Sequence, residues 1–270
     1  MSRVRIPSIA PFTPHMTVFQ ALLLGIVQGL TEFFPISSSA HLRLSKWLLG
    51  IADGEQLIYF DLLCHAGTLV ALLWFLRKDI WKVLFDLKKI GIFALALTPL
   101  VPAYFLLKPV RIAFSNPAYL GYCLIITSLL LFLASKPRNN LSQQKTSHVV
   151  CIGIAQAMAL IPGISRSGST MSIARFCGWE WKDAARFSYL LAIPAILGGE
   201  VLETVKLFKG HSEAIGAVSP LCYLLGFASS LGVGLLAVKF AFSLYEKGTV
   251  RPFAWYCLAV GIGAWMVFHG

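Results

Sequence analysis

Two stretches of this sequence gather the groups that acid–base and phosphate chemistry need. Gln28 and Glu32 stand four residues apart, so on a helix they share a face and point into one space, and Ser37, Ser38, Ser39 and His41 follow directly. A carboxylate, hydroxyls and an imidazole this close together can supply a nucleophile and its proton partners. The second stretch, Pro162 to Thr170, sets glycines and small hydroxyls around Arg166. Glycine lets backbone N–H groups come close to a ligand, and the start of a helix favours an anion. The guanidinium adds a planar, always-charged fork suited to phosphate oxygens. One stretch holds an acid and a nucleophile, the other a cation for the group under attack.

Plainer readings compete with these. Serines in apolar helices often bond back to their own helix carbonyls, His41 could be an interfacial packing residue, and Glu32 with Arg166 could be a mutual buried ion pair. A glutamate and an arginine inside a membrane each cost at least a few kcal/mol, so their presence points by default to function. Asp61, His65, Glu200 and Glu203 also lie in apolar runs, and for these a supporting role is expected.

The depth of these residues follows from composition. The chain is 57% hydrophobic and only 13% charged, against soluble norms near half and a quarter. Runs at 57–76, 91–107, 118–135, 187–206, 219–238 and 252–268 are long enough, or nearly so, to span a bilayer as helices. The net charge of +11 sits in short loops between apolar runs, not on one soluble face, so nucleic acid is not the expected partner and membrane lipid is. Arg77, Lys78, Lys82, Lys88 and Lys89 put the loop 77–90 on the cytoplasmic side. Six scattered cysteines show no metal-ligand spacing and read as small apolar fillers. The first 16 residues, with Pro7, Pro11 and Pro14, do not read as a removed signal peptide.

The elements that must position the two stretches come as a repeat. Gly25-Ile26-Val27-Gln28 matches Gly153-Ile154-Ala155-Gln156, and Pro35-Ile36-Ser37 parallels Pro162-Gly163-Ile164-Ser165 with one residue inserted. Proline removes a backbone donor and clashes with the preceding turn, so helices should break near Pro35 and Pro162. Broken backbone at membrane depth survives only inside protein or beside a wet cavity. The expected fold is an all-α polytopic membrane protein, a single membrane domain over 1–270. It contains two inverted-topology repeats, 17–135 and 149–268, each a re-entrant helix-loop-helix followed by three transmembrane helices. Residues 79–89 should form an interfacial helix, and 136–148 a polar linker.

The segment Gln28-Gly-Leu-Thr-Glu32-Phe-Phe-Pro-Ile-Ser-Ser-Ser-Ala-His41 resembles the Glu/Gln-x-x-x-Glu signature of the bacterial undecaprenyl-diphosphate phosphatases of the bacitracin-resistance type. Pro162-Gly-Ile-Ser-Arg166-Ser-Gly-Ser-Thr170 is similar to their Pro-Gly-x-Ser-Arg-Ser-x-x-Thr signature, and Phe60-Asp61 with His65-Ala-Gly-Thr68 also resembles a family stretch. Ala40 departs from the pattern, where the family usually has glycine. The resemblance implies hydrolysis of a polyprenyl diphosphate to its monophosphate, recycling a lipid carrier for cell-wall synthesis, in a bacterial inner membrane; the loop charges turn the site outward, toward the periplasm. Ser38, His41, Glu32 and Arg166 would then be catalytic, with Gln28, Ser37, Ser39, Ser165, Ser167, Gly168 and Thr170 binding substrate. Ser38 would attack with His41 as its proton partner, or His41 would attack while Ser38 binds phosphate. Glu32 would act as base or hold a divalent cation, Mg²⁺ or Ca²⁺. A homodimer is left open. The rival class is a polyprenyl-phosphate transporter or flippase, because inverted repeats with broken helices also build carriers.

Overall fold

A computed structural model describes residues 16–51, 57–136, 145–210 and 218–269; the amino-terminal stretch and most of the linker between repeats lie outside these. All the regular structure described is helical. In order the helices are α1 (Val18–Thr31), α2 (Ser38–Leu48), α3 (Ile58–Leu84), α4 (Leu87–Leu97), α5 (Leu100–Leu106), α6 (Lys108–Ala113), α7 (Leu120–Ala134), α8 (Thr146–Met158), α9 (Arg166–Phe176), α10 (Trp181–Gly210), α11 (Pro220–Glu246) and α12 (Arg251–His269). Six stretches have membrane length and hydropathy: Ile58–Leu84, Leu87–Leu106, Pro117–Ala134, Trp181–Lys206, Pro220–Glu246 and Arg251–His269. They fall on the six runs read from the sequence. Exposed Trp74, Phe105, Leu236 and Trp255 line their outer faces, as contact with hydrocarbon requires and water would not permit.

Capping chemistry sets the boundaries. Thr17 and Gln20 form a reciprocal capping box at the start of α1. Asp86 accepts from the amides of Lys88 and Lys89 at 3.0 and 3.2 Å, which ends α3 and starts α4 two residues later. That cap corrects the expected interfacial helix over 79–89: its first half is the last part of α3 and its end is the first turn of α4. The linker is also shorter than expected, because α8 already begins at Thr146.

Both breaks occur ahead of a serine-capped helix. After α1 the chain turns through Phe33 to Ile36, and Ser37 takes φ +69° before α2 begins. After α8 it turns through Pro162 and Gly163, the latter at φ +96°, and Ser165 caps α9 through a bond from the Gly168 amide at 3.0 Å. Carbonyls freed at the first break cannot turn to water, so side chains from other helices meet them. The hydroxyls of Tyr189 on α10 and Tyr245 on α11 both donate to Phe33 O, at 2.7 and 2.9 Å. Ser167 Oγ donates to Phe34 O at 3.2 Å. At the second break the Ser165 amide donates to Thr127 Oγ1 on α7 at 3.2 Å.

The first described helix of each half of the chain packs on a long apolar helix from the other half. Gly25 of α1 lies against Gly226 and Ser229 of α11, and Gly153 of α8 lies against Ala96 of α4. A Cβ at either position would collide with the facing backbone, so the sequence match Gly25/Gly153 marks two equivalent close approaches. The site between the breaks is thus assembled from both halves of one chain.

At one end of the bundle, Arg186 at the start of α10 pairs with Asp79 of α3, and Lys182 with Glu246 at the end of α11 at 2.7 Å. Lys78, Lys82 and Lys247 share this end. The α2 helix and the start of α3 lie at the other.

Candidate active site

A cavity of about 850 Å³ opens between the two breaks, near the end of the bundle away from the basic cluster. Its walls include Glu32, Ser37, Ser38, Ser39, Arg43, Lys46, Asp61, His65, Ser165, Arg166 and Ser167. Three fixed cations there face two carboxylates, so the cavity is set to receive an anion.

Glu32 is the hub. Its Oε1 accepts from Arg166 Nη2 at 2.7 Å, and its Oε2 accepts from Ser38 Oγ at 2.7 Å and from Gln28 Nε2 at 3.0 Å. The mutual ion pair weighed from sequence is therefore present, but it is open to the cavity, and Arg166 Nη1 has no hydrogen-bond partner. That nitrogen is buried, and a guanidinium N–H without a partner leaves a hydrogen bond still to be made. Ser38 stands at the first position of α2, and its hydroxyl bonds to the carboxylate and not back to its own helix. Ser37, just before it, holds the left-handed backbone that turns Ser38 inward, a conformation that costs a non-glycine residue about 1–3 kcal/mol.

The remaining expected site residues divide into two groups. Ser37, Ser39, Ser165 and Ser167 line the cavity. Gln28, Gly168 and Thr170 do not. Gln28 is fully buried and holds Glu32 in place. The Gly168 amide is taken up by the Ser165 cap, leaving the amides of Arg166 and Ser167 to head α9. Thr170 Oγ1 bonds back to Arg166 O at 2.9 Å and meets Ser188 Oγ on α10 at 2.6 Å, which fixes the turn that carries the arginine.

His41 is also absent from the cavity wall. Its Nδ1 lies 2.8 Å from Ser37 O, so that nitrogen must carry a proton, and Nε2 lies 2.9 Å from Tyr256 Oη on α12. The two rings stack, with centroids 5.5 Å apart. Both ring nitrogens are engaged behind the serine, where His41 braces the Ser37 carbonyl. Ala40 sits inside α2 without a positive φ, so no glycine is needed at that point of the chain.

Sequence reading undervalued four residues that the cavity contains. Asp61 is joined to Lys46, itself 1% exposed, at 2.6 Å. Arg43 Nη1 donates to Ser115 O at 3.0 Å. His65 directs Nε2 toward Glu32 Oε2 at 4.0 Å. For Asp61 and His65 the sequence signals were polar residues one helical turn apart inside an apolar run and a stretch resembling the family's; Arg43 and Lys46 stood out only as loop charges.

A divalent cation needs several oxygen ligands. Both oxygens of Glu32 are already engaged, and among the described residues no three His, Cys, Asp or Glu side chains group to hold a metal ion. The residues present do not fit an ion held by the protein alone.

Residues 21–263 match the family model described as bacitracin resistance protein BacA. An undecaprenyl-diphosphatase of Protochlamydia amoebophila is 40% identical over 257 residues, covering 94% of this chain and all of that protein. Proteins of the same name from Carboxydothermus hydrogenoformans and Methanobrevibacter smithii are 37% and 34% identical, over 92% and 94% of this chain and 96% and 98% of theirs.

Proposed function

The chain belongs to the bacitracin resistance protein BacA family, and we infer that the cavity between its two breaks is where it acts. It is a multi-pass membrane undecaprenyl-diphosphate phosphatase. It releases inorganic phosphate and returns undecaprenyl phosphate to the lipid-carrier pool used in cell-wall synthesis.

The observation that carries the assignment of residues is the pairing of Ser38 and Arg166 on one carboxylate. Glu32 is 2.7 Å from the serine hydroxyl and 2.7 Å from the guanidinium. In our reading the terminal phosphate enters beside Glu32, drawing Arg166 Nη1 and the head of α9 to its non-bridging oxygens. Charge building on those oxygens is stabilised by donors already in position. Ser38 Oγ passes its proton to Glu32 and attacks phosphorus, forming a phosphoserine. Water then resolves that intermediate. Gln28 and Thr170 act as positioning residues, while Ser39, Ser165 and Ser167 line the approach. A divalent cation, where one takes part, arrives on the diphosphate of the substrate and not on Glu32.

Two further parts of the reading concern placement. The halves are read as inverted repeats, supported by the exchange of packing partners between Gly25 and Gly153 and by three spans in each half. The site is read as facing the periplasm, supported by its position away from the end that bears Lys78, Lys82, Lys182, Arg186 and Lys247. Glu32, Ser38 and Arg166 all come from one chain, so a second copy is not required for the chemistry.

The test is phosphate release from undecaprenyl diphosphate by purified protein in detergent micelles. Wild type should turn over and Arg166→Ala should not. A carrier needs two compartments and would release nothing in micelles, so an inert wild-type protein overturns the phosphatase reading.

A further inference from the structure

We propose that His65, and not His41, is the histidine of the reaction, and that it donates a proton to the bridging oxygen as the prenyl phosphate leaves. The inference rests on the phosphatase reading of the cavity and adds a catalytic group to it.

The first observation is placement. An apolar groove of about 580 Å³ runs between α3, α5 and α10, past Leu62, Leu100, Val101, Phe105 and Leu202. It shares His65, Leu160 and Ile196 with the polar cavity. Of those three, only His65 can donate a hydrogen bond through its side chain. A prenyl diphosphate has a polyanionic head and a hydrocarbon tail. With its head at Arg166 and its tail in the groove, the junction between them falls at His65. That junction is where the bond to be broken lies.

The second observation is orientation. His65 Nδ1 lies 2.9 Å from Asp61 O one turn earlier in α3. A carbonyl only accepts, so Nδ1 carries a proton and Nε2 is the end presented to the cavity. This is the arrangement a second hydrogen bond imposes on working histidines, fixing both tautomer and ring direction. Nε2 points to Glu32 Oε2 at 4.0 Å, the same oxygen that holds Ser38 Oγ at 2.7 Å. The nucleophile and the proposed donor therefore flank one point. His41 has neither property, since its Nε2 is directed to Tyr256 and it touches neither cavity.

The groups facing His65 come from four elements. Glu32 follows α1, Asp61 is on its own helix, Glu200 faces it from α10, and Arg166 heads α9; Lys46 and Arg43 of α2 share the cavity. The step requires His65 to enter as the imidazolium, with Nδ1 still donating to Asp61 O and the second proton on Nε2.

The steps balance. The Ser38 Oγ–P bond forms as its proton moves to Glu32. The bond from that phosphorus to the bridging oxygen breaks, its electron pair stays on the oxygen, and the oxygen takes the Nε2 proton of His65. In the second step a water oxygen attacks phosphorus and gives a proton back to His65. The P–Oγ bond breaks, and Ser38 recovers its proton from Glu32. The products are prenyl phosphate and inorganic phosphate.

The test compares His65→Gln, which keeps an N–H donor, with His65→Met, which fills similar space without one. Wild type and both variants are mixed with undecaprenyl diphosphate in rapid-quench single turnovers, and prenyl phosphate formation and phosphoserine are followed separately. Loss of a positioned proton donor is worth about 10²–10⁴ in rate, so His65→Met should form prenyl phosphate at least about 100-fold more slowly, with KM little changed. His65→Gln should recover part of that loss. Phosphoserine should form in both at the same reduced rate as prenyl phosphate. Wild-type single-turnover rates in His65→Met overturn the proposal, as does phosphoserine formed there at the wild-type rate and then resolved slowly, which would assign His65 to the water step alone. Losses of rate matched by losses of melting temperature in both variants would make the residue structural and also overturn it. Wild-type turnover is read in the same experiment, so failure of the phosphatase reading is seen separately.

Discussion

The shared hydrogen bond between Ser38 and Glu32 makes a specific demand on mutant kinetics. Ser38→Ala removes the oxygen proposed to attack. Glu32→Gln leaves an amide that can still accept from Arg166 but cannot take the serine proton while its N–H₂ faces Oγ. Each single variant should lose about 10³ in kcat, or ~4 kcal/mol of transition-state stabilisation. If the two acted independently, the double variant would fall by about 10⁶. Because Glu32 works through the oxygen it holds at 2.7 Å, the double variant should instead be no worse than about tenfold below the poorer single one. Folding needs a separate measurement. Outright loss of one partner from a buried ion pair costs about 3–5 kcal/mol. Here Arg166 keeps a neutral acceptor and is 21% exposed in its side chain, so the loss should be nearer about 1–2 kcal/mol. The assay is phosphate release in micelles at a temperature where thermal melts show all four proteins folded. Multiplicative losses, or wild-type turnover in Ser38→Ala, would refute the coupled mechanism.

Other expectations follow from single features. Tyr256→Phe removes only the partner of His41 Nε2, so it should cost about 1 kcal/mol in stability and leave kcat close to wild type; a large fall in kcat would return His41 to the reaction. Gly25→Leu and Gly153→Leu drive side chains into α11 and α4 and should lower melting temperature sharply by overpacking. Gly263→Ala meets nothing within 4 Å and should gain up to about 1 kcal/mol of helix propensity. Calorimetric titration of Mg²⁺ or Ca²⁺ into the protein without diphosphate should give no isotherm, and one-to-one binding would show that the protein holds an ion after all.

Local chemistry made much of this fold legible. Pro35 and Pro162 mark the breaks because proline cannot continue a helix, and each serine two or three residues later caps the next one. The six spans follow from length and hydropathy. The partners were not legible to the same degree. His41 lies three residues from Ser38, and that nearness in sequence suggested a pair. Yet the ring bonds back to Ser37 O and outward to Tyr256, 215 residues away. His65 reaches the cavity only because α3 packs beside the first break, a relation no local pattern encodes. Gln28 was read as touching substrate because it shares a helix face with Glu32; that face is shared, but the amide is spent on the carboxylate. The helix expected over 79–89 failed on one residue, Asp86, whose cap divides it.

The exchange of packing partners between halves also shapes how the protein is made. α1 rests on α11, with Gly25 seated against Gly226, so this helix leaves the ribosome long before its neighbour does. At typical elongation of about 5–20 residues per second, that wait is roughly 10–40 s. For most of it Glu32 has no Arg166, and the broken backbone at Phe33 has Tyr189 only late and Tyr245 only once α11 is made. Until α11 arrives this segment lacks the partners that satisfy it, which makes Glu32 and the broken backbone beside it a hazard of biogenesis as well as part of the finished cavity.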